Sequence, residues 1–472
     1  MKLLGHLPLN EVFPTVGKPT LTYIERDNGE PEKRLKASLA TPGQICMLTG
    51  PSKLGKTSLY QQVLPGLKRE PLVIRCSGKL TAANFWATAL ERLDFSLIAE
   101  RSTQWGIKVE SSIGIKGEIG WKWLASFIPS LEFGGASERS STSTKKFVHA
   151  ELSASHLIPL LNKLPLQLVV EDFHYLEIDV KREIFQQWKS FVDEGVSVLV
   201  VSTAHHSTEL FNANADLTGR TRVIDLGQWR PEDLAKIVKV GFDHLGIRNG
   251  QAIRDYVSTE SVGVPIITQQ ICYDFASQLD LVKPSNDLRK DYHPANIKEN
   301  VQRVAKEFYS GFERDYERLV EGPRSKARKH DTYGMILSAF VIDPIRFSLS
   351  KQDLVDRMNA LTADCDQIPV TSINSALKAL SSHQKRMDKT LLEWQPEKQM
   401  LHILEPTFVY YLRQRVKEEH EKGTQSSNSQ TNFLEALFDK LEDTPFVREN
   451  VIKRNAGPRI VQRGRPDGRN YK

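Results

Sequence analysis

The segment from residue 44 to residue 64 contains the residues with the clearest chemistry. Its centre, GPSKLGKT, is a full match to the phosphate-binding pattern G-x-x-x-x-G-K-[ST]. Glycines let the backbone wrap closely around phosphate oxygens, and the start of the following helix adds partial positive charge. We predict that Lys56 reaches the β- and γ-phosphates of ATP and that the Thr57 hydroxyl holds Mg²⁺. The predicted cofactor-binding residues of this loop are Gly50, Pro51, Ser52, Lys53, Leu54, Gly55, Lys56, Thr57 and Ser58.

A pair of acids is the expected second half of such a site. Glu171 and Asp172 end the run LQLVVED, whose apolar part has the composition of a buried strand. Beside a phosphate loop, one carboxylate of such a pair serves the Mg²⁺ shell and the other activates the attacking water. By position, Glu171 is the predicted metal ligand together with Thr57, and Asp172 is the predicted water activator. The usual pattern has Asp first, so the roles within the pair stay open.

A core of strands and helices must position these residues. Buried strands are predicted at residues 45–48, 71–76, 166–171 and 196–203. Helices are predicted at about residues 57–64, 82–97, 150–161 and 180–193, with another that begins at Pro231. Strands that alternate with helices are typical of an α/β fold with a parallel sheet. At the end of the fourth strand, Thr203 could sense the γ-phosphate through a hydrogen bond.

Two segments lie outside this alternation. An extended piece and a charged helix, at about residues 21–39, precede the phosphate loop; they either cover the adenine base or form ordinary surface structure. Residues 105–146 alternate apolar and polar side chains with interspersed Gly, which predicts a ribbon inserted in the core. This ribbon packs either on its own domain or, through Trp121 and Trp123, against a neighbouring subunit or nucleic acid.

Length and composition indicate a globular protein of several domains. The chain has 472 residues, of which 40% are hydrophobic and 26% charged. No apolar run approaches the roughly 20 residues that a membrane helix requires, and the N-terminus is too weak for a signal peptide. The four cysteines lie far apart and form no C-x-x-C pair. We therefore expect a reducing, cytoplasmic setting with no membrane partner.

The positive charge is concentrated at the C-terminus. Residues 453–472 carry seven basic side chains and one acid, which equals the formal net charge of +6 for the whole chain. Residues 1–452 are therefore formally neutral, which argues against a nucleic-acid binder by bulk charge. The tail itself could bind phosphate backbones nonspecifically.

The region before this tail predicts a second small domain. A capping box at Ser350 starts one helix, a third helix follows at 372–380, and residues 391–404 read as a two-stranded wing. Three helices and a wing are typical of a winged helix, which can place its third helix in the DNA major groove. That helix offers few polar residues, so DNA binding and a structural or protein-docking role both remain open. Residues 416–430 have linker composition.

The order of these motifs resembles that of the AAA+ ATPases, and more closely their origin-recognition and signal-transduction (STAND) branches. The resemblance covers about residues 20–415 and includes the helical region that begins at Pro231. Gly263-Val264-Pro265 is similar to the Gly-x-Pro motif of STAND lids, which implies that Pro265 approaches the nucleotide. The segment of Arg220 resembles the place where AAA+ proteins present an arginine finger to the next subunit. Arg222 is the alternative finger, and pairing of Arg220 with an acid such as Asp216 is the structural alternative.

The resemblance implies an α/β fold: a P-loop core, a helical lid and a C-terminal winged helix. The expected domain divisions are 1–42 for the N-terminal lead and adenine-side segment, 43–230 for the core with its ribbon, 231–330 for the helical lid and linker, 331–415 for the winged helix, and 416–472 for a flexible linker, a short helix and the basic tail. The expected function is an ATP-driven switch that hydrolyses ATP slowly, forms a homo-oligomer and signals to DNA or to a separate effector protein. A DNA-directed initiator or loader and a small-molecule phosphotransferase are the alternatives.

Overall fold

The computed structural model describes residues 7–91, 154–203, 219–279, 294–322, 331–361, 367–387 and 389–423, together with residue 217. The predicted ribbon at 105–146 and the basic tail lie outside these residues. None of the described helices is long and apolar enough to cross a bilayer.

A five-stranded parallel sheet forms the centre of the N-terminal half. Its strands are β1 Ile45–Thr49, β2 Glu70–Arg75, β3 Leu166–Glu171, β4 Val198–Val201 and β5 Thr221–Asp225. They lie in the order β2-β3-β4-β1-β5, so β1 is inserted between β4 and β5. The parallel α/β core predicted from the sequence is confirmed. All five carboxyl ends meet at one edge of the sheet, where α/β proteins bind their ligands.

Helices cover both faces of this sheet. The helices of this half are α1 Leu9–Val12, α2 Glu30–Ala40, α3 Lys56–Gly66, α4 Ala82–Glu91, α5 Ala154–Lys163 and α6 Ile178–Asp193, of which α2 to α6 pack on the sheet. Because side chains alternate along a strand, Ile45 and Met47 of β1 pack with α4, α5 and α6, whereas Cys46 and Leu48 pack with α2 and α3. Burial on both faces explains why the strands read as continuous apolar runs.

Three helices follow the sheet in the region predicted as the lid, and that name is kept for them below. They are α7 Pro231–Leu245, α8 Gln251–Glu260 and α9 Pro265–Gln278. The turn between α8 and α9 requires glycine: Gly263 has φ +77°, and a Cβ there would lie 2.1 Å from Cγ of Gln228. The short α1 also packs on the lid through Leu9 and Phe13 rather than on the sheet.

The C-terminal part continues the core of the lid. Its elements are α10 Pro294–Phe308, α11 Gly311–Glu321, α12 Thr332–Val341, β6 Ser348–Ser350, α13 Lys351–Asn359, α14 Val370–Gln384, β7 Leu392–Gln395, β8 Met400–Ile403 and α15 Pro406–Gly423. From α12 onward the helices and the antiparallel sheet β6-β8-β7 follow the predicted order of three helices and a wing. The predicted capping box at Ser350 is present. One hydrophobic cluster runs from Leu9 to Val416 through both predicted domains, so the division at residue 330 does not separate two cores.

The linker predicted from residue 416 is wrong at its start. Helix α15 continues to Gly423, and Val416 and Lys417 are buried. The ammonium of Lys417 lies 2.6 Å from Oε1 of the fully buried Glu260 in α8. The charged residues after 415, which have the composition of a linker, therefore begin as helix, and the buried Glu260 of the lid stabilises them there.

Candidate functional site

The phosphate loop leaves the carboxyl end of β1 and leads into α3. Gly50, Lys53 and Gly55 have positive φ angles of 143°, 63° and 90°, which give the loop its tight curvature. A Cβ at residue 50 would lie 2.4 Å from the backbone oxygen of Leu226, so only glycine fits there. The predicted context of strand, loop and helix is therefore present, with the start of α3 directed at the site.

Lys56 lies among backbone oxygens and acids of the site. Its ammonium donates to the carbonyl oxygens of Gly50, at 2.8 Å, and Pro51, at 2.7 Å. Burial lowers the pKa of Lys56 to about 8, against the opposing charges of four acids: Asp172, Asp225, Glu171 and Glu405. A partly buried cation whose hydrogen bonds, among the described residues, go to neutral carbonyl oxygens is well placed to receive an anionic phosphate.

Glu171, at the end of β3, gathers three partners. Its Oε1 accepts hydrogen bonds from the Thr57 hydroxyl at 3.0 Å and the Tyr60 hydroxyl at 2.9 Å. Its Oε2 forms an ion pair with Arg75 at 3.1 Å. The Thr57 hydroxyl and this carboxylate are hard oxygen donors that face each other, which fits Mg²⁺ completed by phosphate oxygens and water. No cluster of three or more acid, His or Cys ligands occurs among the described residues.

Asp172 is held differently from its neighbour. It has φ 61°, a left-handed conformation that Asp tolerates better than most residues and that turns its side chain out of the β3 alternation. Burial, and then the charge of Glu171, raises the pKa of the Asp172 carboxyl above its usual range. No hydrogen bond to this carboxylate occurs within the described residues. A carboxylate with a raised pKa and no hydrogen bond among the described residues suits a proton acceptor, whereas Glu171 suits a metal ligand.

Thr203 lies where the γ-phosphate sensor was expected. The backbone N–H of the preceding Ser202 donates to Leu48 of β1, which brings the end of β4 beside the phosphate loop. The hydroxyl oxygens of Ser202 and Thr203 are buried, and neither has a hydrogen-bond partner within the described residues. Buried hydroxyls without hydrogen-bond partners are rare in folded proteins. The Ser202 and Thr203 hydroxyls are therefore suited to donate a hydrogen bond to a bound acceptor.

A small cavity lies beside the phosphate loop. Its walls come from the N-terminal segment, the loop helix and the lid, including Tyr23, Arg26, Trp229, Pro265 and Gln269. The guanidinium of Arg26 lies 5.4 Å from the ring centroid of Trp229. Trp229 Nε1–H donates to the carbonyl of Leu54, which joins the start of the lid to the phosphate loop. The predicted adenine-side segment and Pro265 therefore line the same cavity.

The two arginines lie at the opposite edge of the sheet from the loop. The backbone oxygen of Arg220 accepts from the N–H of Ile45, the first residue of β1, so Arg220 is one strand length, roughly 16 Å, from its own phosphate loop. Its guanidinium pairs with Asp193 at 2.8 Å. Arg222, the alternative finger, lies within β5, opposite Cys46. Neither arginine reaches the site of its own chain.

Lys53 connects the loop to the C-terminal part. Its ammonium lies 3.0 Å from Oε1 of Glu405 and 3.4 Å from the Thr407 hydroxyl, at the start of α15. The Thr407 hydroxyl in turn donates to Glu405. The side chain of a predicted nucleotide-binding residue is therefore paired with an acid from a distant segment.

Several residues of the site were missed from the sequence. They are Arg26, Tyr60, Arg75, Asp225, Trp229, Gln269 and Glu405. Arg75 ends β2 and is the register partner of Glu171, which becomes visible only when β2 and β3 are known to be neighbours. The acids and the phosphate loop, in contrast, could be found from their motifs.

Comparison with known proteins gives similarity at the level of fold. No protein-family model and no curated protein matches the chain. A Walker-type ATPase of Pyrococcus abyssi aligns with 85% of this chain and 99% of its own, at 15% identity and a TM-score of 0.50. Cdc6p of Pyrobaculum aerophilum covers 93% and 100% at 14% identity and a TM-score of 0.41. The ORC1 protein of Aeropyrum pernix, solved with DNA, covers 88% and 98% at 11% identity and a TM-score of 0.36. With its parallel sheet and phosphate loop, the chain thus has the fold of a Walker-type ATPase.

Proposed function

We propose that this chain is an ATP-binding switch that hydrolyses ATP slowly. One observation carries the proposal: Lys56 and Thr57 of the phosphate loop lie with Glu171 and Asp172 at one sheet edge, beside a cavity closed by the lid. Thr57 and Glu171 would hold Mg²⁺, which neutralises charge on the phosphates. Asp172 would accept the proton of the attacking water.

The lid and the C-terminal part would report the nucleotide state. They share one hydrophobic core, and this unit touches the site at Pro265 and at Glu405. ATP in the site would change both contacts, so the whole unit would shift as a body. We propose that the output is self-assembly into a homo-oligomer and a signal to DNA or to a separate effector protein.

Nucleotide binding by the full chain tests this function directly. Lys56→Ala removes the main cation that faces the phosphates, so ATP affinity should fall at least tenfold, about 1.4 kcal/mol. Lys68→Ala, a change of an exposed lysine at the far end of α3, is the control for loss of one charge. A folded Lys56→Ala protein that binds ATP as tightly as wild type would overturn the assignment.

A DNA-directed initiator or loader is the second candidate. It is favoured by the three helices and wing, in which α14 exposes Thr371, Ser375 and Lys378 at helical spacing. His383, near the end of α14, is buried and hydrogen-bonded to the carbonyl of Arg318, so it adds nothing to this exposed face. Stimulation of ATP hydrolysis by duplex DNA, lost in Lys378→Glu, would favour this candidate over a switch with a protein partner.

A further inference from the structure

An open groove lies at the edge of the sheet, away from the nucleotide site. It has a volume of about 370 Å³ and runs between α2 and the edge strand β5. Its lining consists of three basic residues and three small or aliphatic ones: Lys33, Arg34, Arg222, Ala37, Val223 and Ile224. No acid contributes to the lining, although the chain up to residue 452 is formally neutral.

The fold directs these cations to one place. Arg222 and Ile224 lie on the same face of β5, and Ile224 packs with Leu35 and Leu39 of α2. Arg222 therefore projects toward α2, from which Arg34 projects toward β5. Arg34 donates to the carbonyl oxygen of Val223 at 3.1 Å.

Unlike Arg220 and Arg230, the three cations of the groove have no acid partner among the residues that the structure describes. Arg220 pairs with Asp193, and Arg230 pairs with Asp27. The hydrogen bonds of Lys33 and Arg34 among the described residues go to backbone carbonyl oxygens, and no ion pair of Lys33, Arg34 or Arg222 occurs within that part of the chain. Exposed cations that converge without counter-charges attract a polyanion.

We propose that this groove binds the sugar–phosphate backbone of a nucleic acid. The groove is open to solvent and its cations come from both α2 and β5, which suits a polyanion with several phosphates better than a single small anion. An acidic peptide that adds to the edge of the sheet is disfavoured, because α2 covers β5 and Arg34 already occupies the Val223 carbonyl that such a strand would need. Arginine and lysine side chains can bind phosphates without main-chain pairing.

The test compares two double variants of the full chain that lose the same charge. Arg34→Gln with Arg222→Gln removes two groove cations, and Lys68→Gln with Lys79→Gln removes two exposed cations outside the groove. Binding of a fluorescent duplex DNA is measured over a series of salt concentrations. We expect the groove variant to bind at least tenfold more weakly at low salt, with a salt slope reduced by about 1.8, because each lost phosphate contact removes about 0.9. The control variant should keep the wild-type slope.

Three outcomes would overturn the proposal. Equal losses in the two variants would show that bulk charge alone matters, and a wild-type slope in the groove variant would assign binding to the tail or the wing. Absence of duplex binding by wild type at low salt would also contradict it. Binding of a labelled polyglutamate of matched charge is measured in parallel. If the wild-type protein binds polyglutamate more tightly than DNA, and the groove variant loses this binding, the ligand is an acidic polypeptide instead. Thermal unfolding midpoints confirm that both variants are folded.

Discussion

The ammonium of Lys53 in the phosphate loop lies 3.0 Å from the carboxylate of Glu405, at the start of the last helix. The two residues are 352 positions apart in the chain, and Glu405 also contributes negative charge near Lys56. The ion pair therefore places a negative charge from the C-terminal part beside the loop that is predicted to bind phosphate.

Release of this contact should favour nucleotide binding. Glu405→Gln removes a charge that repels the phosphates and frees Lys53, so ATP affinity should rise about threefold at low salt and less at high salt. Glu397→Gln, in the exposed turn of the wing, is the control for loss of one acid. Unchanged or weaker ATP binding by Glu405→Gln would contradict an opposing role for this residue.

ATP affinity should depend on the protonation of Lys56. Burial lowers its pKa to about 8 in the free protein, and bound phosphates would raise the pKa again. Below pH 8 the ammonium is already charged and affinity should be level. Above this pH, affinity should fall by up to tenfold per unit, because a proton must be taken up on binding. Lys56→Gln should bind weakly with no such slope; the same slope in that variant would assign it to another group.

Substitutions of Glu171 and Asp172 should have different effects on ATP hydrolysis. Asp172→Asn preserves a side chain that tolerates the left-handed conformation, so the fold should be kept, but the amide cannot accept a proton from water. Turnover should fall about 10²- to 10⁴-fold with ATP still bound. Glu171→Gln should instead weaken the dependence on Mg²⁺. The reverse pattern would show that the roles are exchanged.

The pH profile of the wild-type protein gives a further check on Asp172. Because its pKa is raised, the carboxyl takes up its proton at a higher pH than an ordinary aspartate as the medium is acidified. As the pH is lowered, the rate of hydrolysis should therefore begin to fall at a pH above the usual titration range of aspartate. ATP binding should not fall at that pH. A rate that stays level through that range would argue against Asp172 as the base.

The buried ion pair between Glu260 of the lid and Lys417 of the last helix should contribute to the free energy of unfolding. Burial alone would raise the pKa of Glu260, but Lys417 and Arg413 outweigh it and lower the pKa to about 2. Glu260→Gln removes the carboxylate that faces the buried cations of Lys417 and Arg413, so the free energy of unfolding should drop by about 3–5 kcal/mol. The exposed Asp243→Asn, which loses a pair with Lys239, should cost at most about 1 kcal/mol. In wild type, this contribution should be complete above pH 4.5 and fade as the pH falls toward 2.

A mixing experiment tests whether Arg220 acts on a neighbouring subunit. Arg220→Ala and Lys56→Ala should each be inactive alone, and a mixture should regain activity because intact loops and intact arginines then meet between subunits. Asp193→Asn frees Arg220 from its ion pair but keeps the guanidinium, so hydrolysis should persist. Loss of activity in Asp193→Asn, with no rescue in co-assembled mixtures, would show that Arg220 only holds its loop.

The sequence by itself determined the parts of the site that are local in the chain. The phosphate loop needs glycines at fixed offsets, and Lys56 and Thr57 follow directly, so one motif contains geometry and chemistry together. Continuous apolar runs before the loop and before Glu171 predicted strands buried on both faces, as the sheet confirms. The wing and the Ser350 capping box were also readable, because turns and caps depend on neighbouring residues.

Only the tertiary structure decided which distant residues meet. Arg75 reaches Glu171 because β2 lies beside β3, and Arg222 joins Arg34 because β5 forms the edge next to α2. The charged residues after 415 looked like a linker because their partner, Glu260, lies more than 150 positions away. Pairings of this kind depend on sheet order and helix packing, which arise from the burial of the whole core and leave no spacing in the sequence.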